Sequence, residues 1–305
     1  MDHCSYFIKN RAMFGSFPTQ EAVTELESEG VRYFVNLTFD EEDKLTPYTT
    51  KYNYIHFPII DRRAPSNWQE FAKFILILSH IITDLPSGEK LYLHCKGGHG
   101  RSGVVVSCIL CFMFGLRPED AMERTTKYHS NRSVMRDKWR KLGSPQTHSQ
   151  KNFVFKFFEP LHFYRAHKTG HTVGFSNFSL HPVDIPGVGV FPTSEAAFQA
   201  HKDLSNSDYV QKQQNTKTPV AAKFLGKAVR VDSEWFRSQD TVMQRVLRYK
   251  FEQNSVIRER LINTGLRTII QHTRGDYVWG DGDGSGQNKL GRMLTQLRND
   301  IYLHM

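Results

Sequence analysis

The stretch LYLHCKGGHGRSG (91–103) sets a cysteine at the end of an apolar run, follows it with glycines, and places an arginine six positions on. That spacing suits a thiolate nucleophile in an anion cradle. A strand ending at His94 and a helix beginning near Ser102 leave Lys96, Gly97, Gly98, His99 and Gly100 as the loop between them. Such a loop turns successive backbone N–H groups toward one point at the positive end of a helix, where an anion binds. Glycine is needed there because the backbone must come close and adopt unusual dihedrals. The same donors and dipole favour a thiolate at Cys95. Arg101 can hold two phosphate oxygens at once and align phosphorus with sulfur. Phosphoryl transfer to sulfur also needs a proton for the leaving oxygen. Asp61, directly after the strand-like YNYIHFPII, is the candidate donor. Ser102 can hydrogen-bond the sulfur and help a thiophosphate break down. His94 is expected to shape the cradle through backbone hydrogen bonds. His99 either tunes charge and touches substrate or is a tolerated loop residue.

HCKGGHGRSG resembles the signature of the cysteine-dependent protein tyrosine and dual-specificity phosphatases: histidine, cysteine, five residues, arginine, then serine or threonine. The likeness extends over about residues 10–160, and the loop length favours the compact dual-specificity type. It implies a phosphorylated protein or nucleotide as substrate. It also implies a glutamine in GSPQTHSQKNFV (143–154) that places the hydrolytic water, either Gln146 or Gln150.

A second set of chemistry-bearing residues lies in FSNF (175–178), FPTSEAAFQAHK (191–202) and DYVWGDGDGSGQNKLG (276–291). Thr193 can cap a helix on which Glu195, Gln199 and Lys202 come near one another, since residues three and four apart share a face. Taken alone, a carboxylate and a lysine so placed usually form a surface ion pair. A tryptophan with an acid three residues before it, followed by glycines and Asn288, suits an aromatic wall beside a backbone-lined polar pocket. In this order the pieces resemble the NADAR superfamily, and the likeness covers nearly all of 170–303. It implies cleavage of N-glycosidic bonds, in riboflavin-pathway intermediates or in ADP-ribosylated guanine of nucleic acids, so ADP-ribose or ADP-ribosylated nucleic acid is the expected partner of this half. By the same resemblance the active residues are Glu195, Lys202, Asp276 and Trp279, with Asn177, Gly280 and Asn288 shaping the pocket. Breaking a C1–N bond builds positive charge that a carboxylate stabilises, while an acid protonates the departing base. Lys202 can instead attack an opened sugar as an amine. One position departs from the pattern: Gln271 stands where members commonly carry glutamate. A domain that binds ADP-ribose or nucleic acid without cleaving therefore stays open as the alternative.

The elements that must position these groups follow two rhythms. VRYFVNL (31–37), YNYIHFPII (52–60) and LYLH (91–94) read as strands. They alternate with the helices WQEFAKFILILSHIITDL (68–85), SGVVVSCILCFMFG and one opened by Pro118. This predicts an α/β domain over 1–160, a mostly parallel sheet flanked by helices. Residues 161–172 read as a linker. Residues 173–305 read as an α+β domain, with strand-like pieces around FSNFSLHPV and GVGVF, helices over 194–204, 218–226 and 241–253, and a closing helix RMLTQLRNDIYL.

With 305 residues, two domains are expected. The net charge of +9 is a solvated surface or a lure for phosphorylated and nucleic-acid substrates; charge alone does not choose. Four cysteines are too few for a disulfide framework, and Cys108 and Cys111 fall on a core helix. No signal segment or membrane span is read, so a cytoplasmic setting without membrane partners is expected, with the nucleus open. No Cys and His group shows metal-ligand spacing, and no cofactor is expected.

Overall fold

In the computed structural model, residues 3–164 and 170–304 are described, and the chain divides into two units, Met1–Glu159 and Pro160–Met305. The first runs β1 (Cys4–Ile8), β2 (Ala12–Gly15), α1 (Gln20–Ser28), β3 (Val31–Asn36), β4 (Asn53–His56), α2 (Trp68–Asp84), β5 (Lys90–His94), α3 (Gly100–Phe114), α4 (Pro118–Ser130), α5 (Asp137–Leu142) and α6 (His148–Phe158). Its sheet has the order β1-β2-β5-β3-β4. Only β1 and β2 pair antiparallel; the other neighbours are parallel. This is the mostly parallel sheet that strand–helix alternation requires.

Two boundaries moved. The strand expected over 52–60 pairs only to His56, yet Phe57 N and Ile59 N still donate to Asn36 O and Leu37 O, so the extended chain keeps following β3 toward Asp61. Helix α3 begins at Gly100, before Ser102, and is buried from Arg101 to Cys111. The loop after Cys95 thus sits between the central strand and the most buried helix of its unit. Pro118 occupies the first turn of α4, as its fixed φ favours.

The second unit runs β6 (Leu161–Phe163), β7 (Val183–Ile185), β8 (Gly189–Phe191), α7 (Ser194–Ala200), α8 (Ser207–Gln214), α9 (Pro219–Lys227), α10 (Ser233–Gln253), α11 (Ser255–Ile262), β9 (Ile269–Gln271) and α12 (Lys289–His304). β6 pairs parallel with β9, and β7 pairs antiparallel with β8. Of the stretch expected as linker, residues 161–163 form β6 and belong to this unit's sheet, while 165–169 lie outside the described residues. FSNF is a turn rather than a strand, because Ser176 Oγ accepts from Phe178 N at 3.1 Å and Ser176 O from Ser179 N at 3.1 Å. Helix α10 starts eight residues before the expected 241, where Asp232 caps it by accepting from Glu234 N (2.9 Å) and Trp235 N (3.1 Å).

The buried stripe of α10 includes Met243, Val246, Leu247, Lys250 and Phe251, spaced by three and four. Periodicity therefore carries a lysine into the apolar core. Its Nζ donates to Ser176 O at 2.8 Å, tying the FSNF turn to α10, and burial pushes its pKa down to about 7. A base with a folded pKa below its unfolded value binds fewer protons folded than unfolded between the two. Stability then rises with pH from about 7 into the ordinary lysine range. Relative to Lys250→Met, the chain is expected to gain about 1.4 kcal/mol per pH unit above neutrality. Equilibrium denaturation of both proteins at pH 7, 8 and 9 measures this, and a pH-independent difference contradicts it.

Candidate functional site

In the first unit the 95–100 loop is shaped by what its carbonyls bond to. Lys96 O accepts from Phe17 N at 3.1 Å, Gly98 O from Arg132 Nη1 at 2.7 Å, and His99 O from Ser144 Oγ at 2.5 Å. In a planar trans peptide the C=O and the following N–H point opposite ways, so these three bonds turn the N–H groups of Gly97, His99 and Gly100 to the other side, where an anion can be met. Gly98 has φ +69°, and a Cβ there would lie 2.3 to 2.6 Å from the backbone of Gly15 and Ser16. Only glycine lets the loop pack on β2 this closely. His99 is the N-cap residue of α3 but makes no side-chain cap, leaving the first helical N–H groups to a ligand.

Cys95 is buried, and its Sγ lies 3.5 Å from Ser102 Oγ. Arg101 is 1% exposed. Its guanidinium bonds both carboxylate oxygens of Glu42, donates to Ile59 O at 3.0 Å, and lies 3.1 Å from Asp61 Oδ1. Asp61 is 59% exposed on its side chain, so the acid sits at the mouth while the cation sits within. Gln150 is fully buried on α6. Its amide accepts from Gln146 N and Thr147 N, donates to Arg63 O at 3.1 Å, and packs against Gly100.

In the second unit a cavity of about 170 Å³ is lined by residues that include Asn177, Glu195, Lys223, Gln271, Asp276 and Trp279. Thr193 caps α7 by accepting from Ala196 N at 3.1 Å and so places Glu195 in the first turn. Glu195 accepts from Gln199 Nε2 at 2.9 Å, and burial raises its pKa above the usual carboxylate range. Asp276 Oδ1 accepts from Val278 N (3.2 Å) and Trp279 N (2.9 Å), fixing the turn that presents the indole. Trp279 meets Phe198 edge to face, with centroids 5.4 Å apart. The amide oxygens of Asn177 and Gln271 are buried without a protein partner.

Residues 1–154 match the family described as "Swiss Army Knife protein, DSP-PTPase phosphatase domain", and residues 162–302 match the NADAR domain family. "Putative tyrosine phosphatase 197R" of Invertebrate iridescent virus 6 is 34% identical over 310 residues, covering 98% of this chain and 95% of the relative. "N-glycosidase YbiA" of Escherichia coli (strain K12) is 35% identical over 132 residues, covering 42% of this chain and 81% of that protein. The solved structure of Tk-PTP in the active form matches 50% of this chain and 93% of its own at 25% identity, with a TM-score of 0.40. The chain belongs to the DSP-PTPase phosphatase and NADAR families.

In the phosphatase domain the structure brings Cys95, Arg101, Ser102 and Asp61 together. His94 differs from expectation: its side chain bonds Tyr48 Oη at 2.7 Å rather than backbone, and burial pushes its pKa down to about 3, keeping the imidazole neutral. His99 turns its ring to His129 (Nδ1···Nε2 2.7 Å) and stacks on Trp139. Lys96 Nζ donates to Asp43 O at 2.7 Å. Gln146 keeps a buried amide nitrogen without a partner, whereas Gln150 spends its amide on holding loops.

In the NADAR domain Asn177, Glu195, Asp276 and Trp279 line one cavity. Lys202 does not join them. Helix α7 ends at Ala200, and the Lys202 ammonium donates instead to Gly226 O at 2.7 Å. Lys223, from α9, is the lysine in the lining. Asn288 is also no part of the lining. Its amide accepts from Gln271 N and donates to Ile269 O, both at 2.9 Å, stitching β9 to the start of α12. Gly280 is required by close approach, since a Cβ would lie 2.9 Å from Gln271 O.

Sequence reasoning missed Glu42 and Arg132. Neither sits in a recognisable local pattern: Glu42 reaches Arg101 across 59 residues and Arg132 reaches Gly98 across 34. Arg132 is buried, donates also to Phe14 O at 3.0 Å, and lies over the Phe14 ring. Its removal leaves two carbonyls unmet, at about 1–3 kcal/mol each. Arg132→Met is expected to weaken orthovanadate binding at least tenfold by calorimetry. Unchanged affinity contradicts its role in orienting the loop.

Proposed function

We propose that the chain is a bifunctional hydrolase. The phosphatase domain removes phosphate from a monoester through a Cys95 thiophosphate, and the NADAR domain cleaves the N-glycosidic bond of an ADP-ribose-type conjugate such as ADP-ribosylated guanine in nucleic acid. The observation that carries the reading is the convergence, in each domain, of a reacting group with the acid its chemistry needs: Cys95 with Asp61 around Arg101, and Glu195 beside Asp276 in the Trp279 cavity.

At the first site Cys95 attacks phosphorus while the inward N–H groups and Arg101 hold the equatorial oxygens. Asp61 gives its proton to the leaving oxygen. Water placed by Gln146 then attacks the thiophosphate, Asp61 takes the water's proton, and Ser102 supports the sulfur as it departs. At the second site Glu195, its pKa raised by burial, retains a proton where an ordinary carboxyl has lost it. It is assigned as the donor to the departing base. Asp276 supplies negative charge toward the sugar carbon and takes the proton of the water that adds to that carbon as the base leaves, and Trp279 offers a stacking face. Gln271, in the lining where glutamate is common, favours a second reading in which the NADAR domain binds ADP-ribose or nucleic acid and only the phosphatase turns over.

Separate assays distinguish these. Cys95→Ser is expected to abolish aryl-phosphate hydrolysis and leave guanosine release from ADP-ribosylated guanosine intact. Glu195→Gln is expected to do the reverse. Wild-type glycosidase kcat should fall as pH rises through a value above the usual glutamate range, because the acid must be protonated. If the wild-type protein binds the conjugate but releases no guanosine, the second reading replaces the first.

A further inference from the structure

On the NADAR domain, and apart from the cavity, three side chains from distant segments meet. His162 is on β6, His272 directly follows β9, and Asp281 lies in the loop before α12. One ligand atom from each lies within 4.8 Å of the other two. We propose that His162, His272 and Asp281 form a binding site for a first-row divalent cation of the Zn²⁺ class.

Strand register produces the convergence. His162 is opposite Ile270 in the parallel β6–β9 pair, and His272 N continues the ladder to Phe163 O at 2.9 Å. Residues two apart on a strand share a face, so His272 falls on the face of Ile270 and His162. Gln271 and Thr273 point the other way and line the cavity. Asp281 is delivered by its own backbone, whose N–H donates to Gln271 O at 2.9 Å.

The donor set is the chemical argument. Two imidazoles and a carboxylate are the borderline ligands that Zn²⁺ and its first-row neighbours take, whereas an oxygen-only set is the preference of Mg²⁺ and Ca²⁺. Asp281 is 8% exposed and its carboxylate oxygens lie 3.0 and 3.1 Å from His272 Nδ1. A plain His–Asp pair accounts for those two residues. It gives no reason for His162, which comes from the other strand with its ring centroid 6.0 Å from that of His272, nearly perpendicular. Both histidines are exposed, so three protein ligands leave room for water and for exchange of the ion. A cation here would clamp β6, β9 and the 276–288 loop together. That clamp backs the strand and turn that carry Gln271, Thr273, Asp276 and Trp279 into the cavity.

The test is Zn²⁺ titration by calorimetry into the full, tag-free chain, in a Cys95→Ser background so that the Cys95 sulfur does not compete. Co²⁺ absorption serves as an independent report of the ligand set. One Zn²⁺ per chain is expected, with affinity at least tenfold weaker in His162→Ala and in His272→Ala, and with a Zn²⁺-dependent rise in thermal stability that His162→Ala lacks. His162 is exposed, so its alanine variant should fold, and circular dichroism checks that it does. The proposal is overturned if Zn²⁺ fails to saturate one site, or if His162→Ala binds it as tightly as the parent.

Discussion

A carbonyl tied outward turns the N–H across its peptide plane inward, and the loop after Cys95 uses that constraint three times. The outward partners come from three places: the backbone N–H of Phe17 beyond β2, the guanidinium of Arg132 beyond α4, and the hydroxyl of Ser144 before α6. The backbone half of the anion site follows from these bonds, because the loop's own side chains are mostly absent or turned away. Arg132 is the costly member. Burial pushes its pKa down to about 10, yet it stays charged at neutral pH, and two carbonyls and an aromatic face compensate for the lost water. A buried cation behind the loop adds positive potential to that of the helix end and Arg101. The site is therefore organised for an anion before one arrives.

The NADAR cavity applies burial with the opposite sign. Cations there are few and peripheral, and inward acceptors include the Asn177 and Gln271 oxygens without protein partners and the carboxyl of Asp276. A cavity rich in acceptors selects a ligand rich in N–H and O–H donors, such as a ribose with its hydroxyls or a purine with exocyclic amines. An anion-seeking cradle and a donor-seeking cavity do not share a ligand group. That is the physical basis for assigning the two domains different reactions.

Legibility in the sequence followed the range of the interactions. Cys95, Arg101 and Ser102 are legible because the cradle is local, one strand, one loop and one helix in unbroken succession. Asp61 is legible because its extended segment runs along β3 to the cradle. Glu42 and Arg132 are not, since nothing near either residue announces a partner dozens of positions away. The i, i+4 spacing correctly joined Glu195 to Gln199. It brought Lys202 close enough to act on Glu195 by charge, but its ammonium is spent on Gly226 O and it stays out of the lining. Lys223 enters the lining through packing of α9, which no pattern around Glu195 encodes. Asn288, which the resemblance assigned to the pocket, stitches backbone instead.

Gln271 then takes on a specific meaning. A second carboxylate at that position would face Glu195 across a small buried cavity, and like charges so placed hold one proton between them. The amide removes that partner. Glu195 keeps its raised pKa through burial, with Lys223, Lys202 and Asp276 as the charges acting on it. On the proposed reading this leaves one buried acid to serve the departing base, and Asp276, already oriented by two backbone N–H groups, to face the sugar. Substituting glutamine at 271 thus trades a shared proton for an acceptor oxygen in the wall. On that reading the cleavage needs one carboxyl fewer, provided that Glu195 enters each turnover protonated.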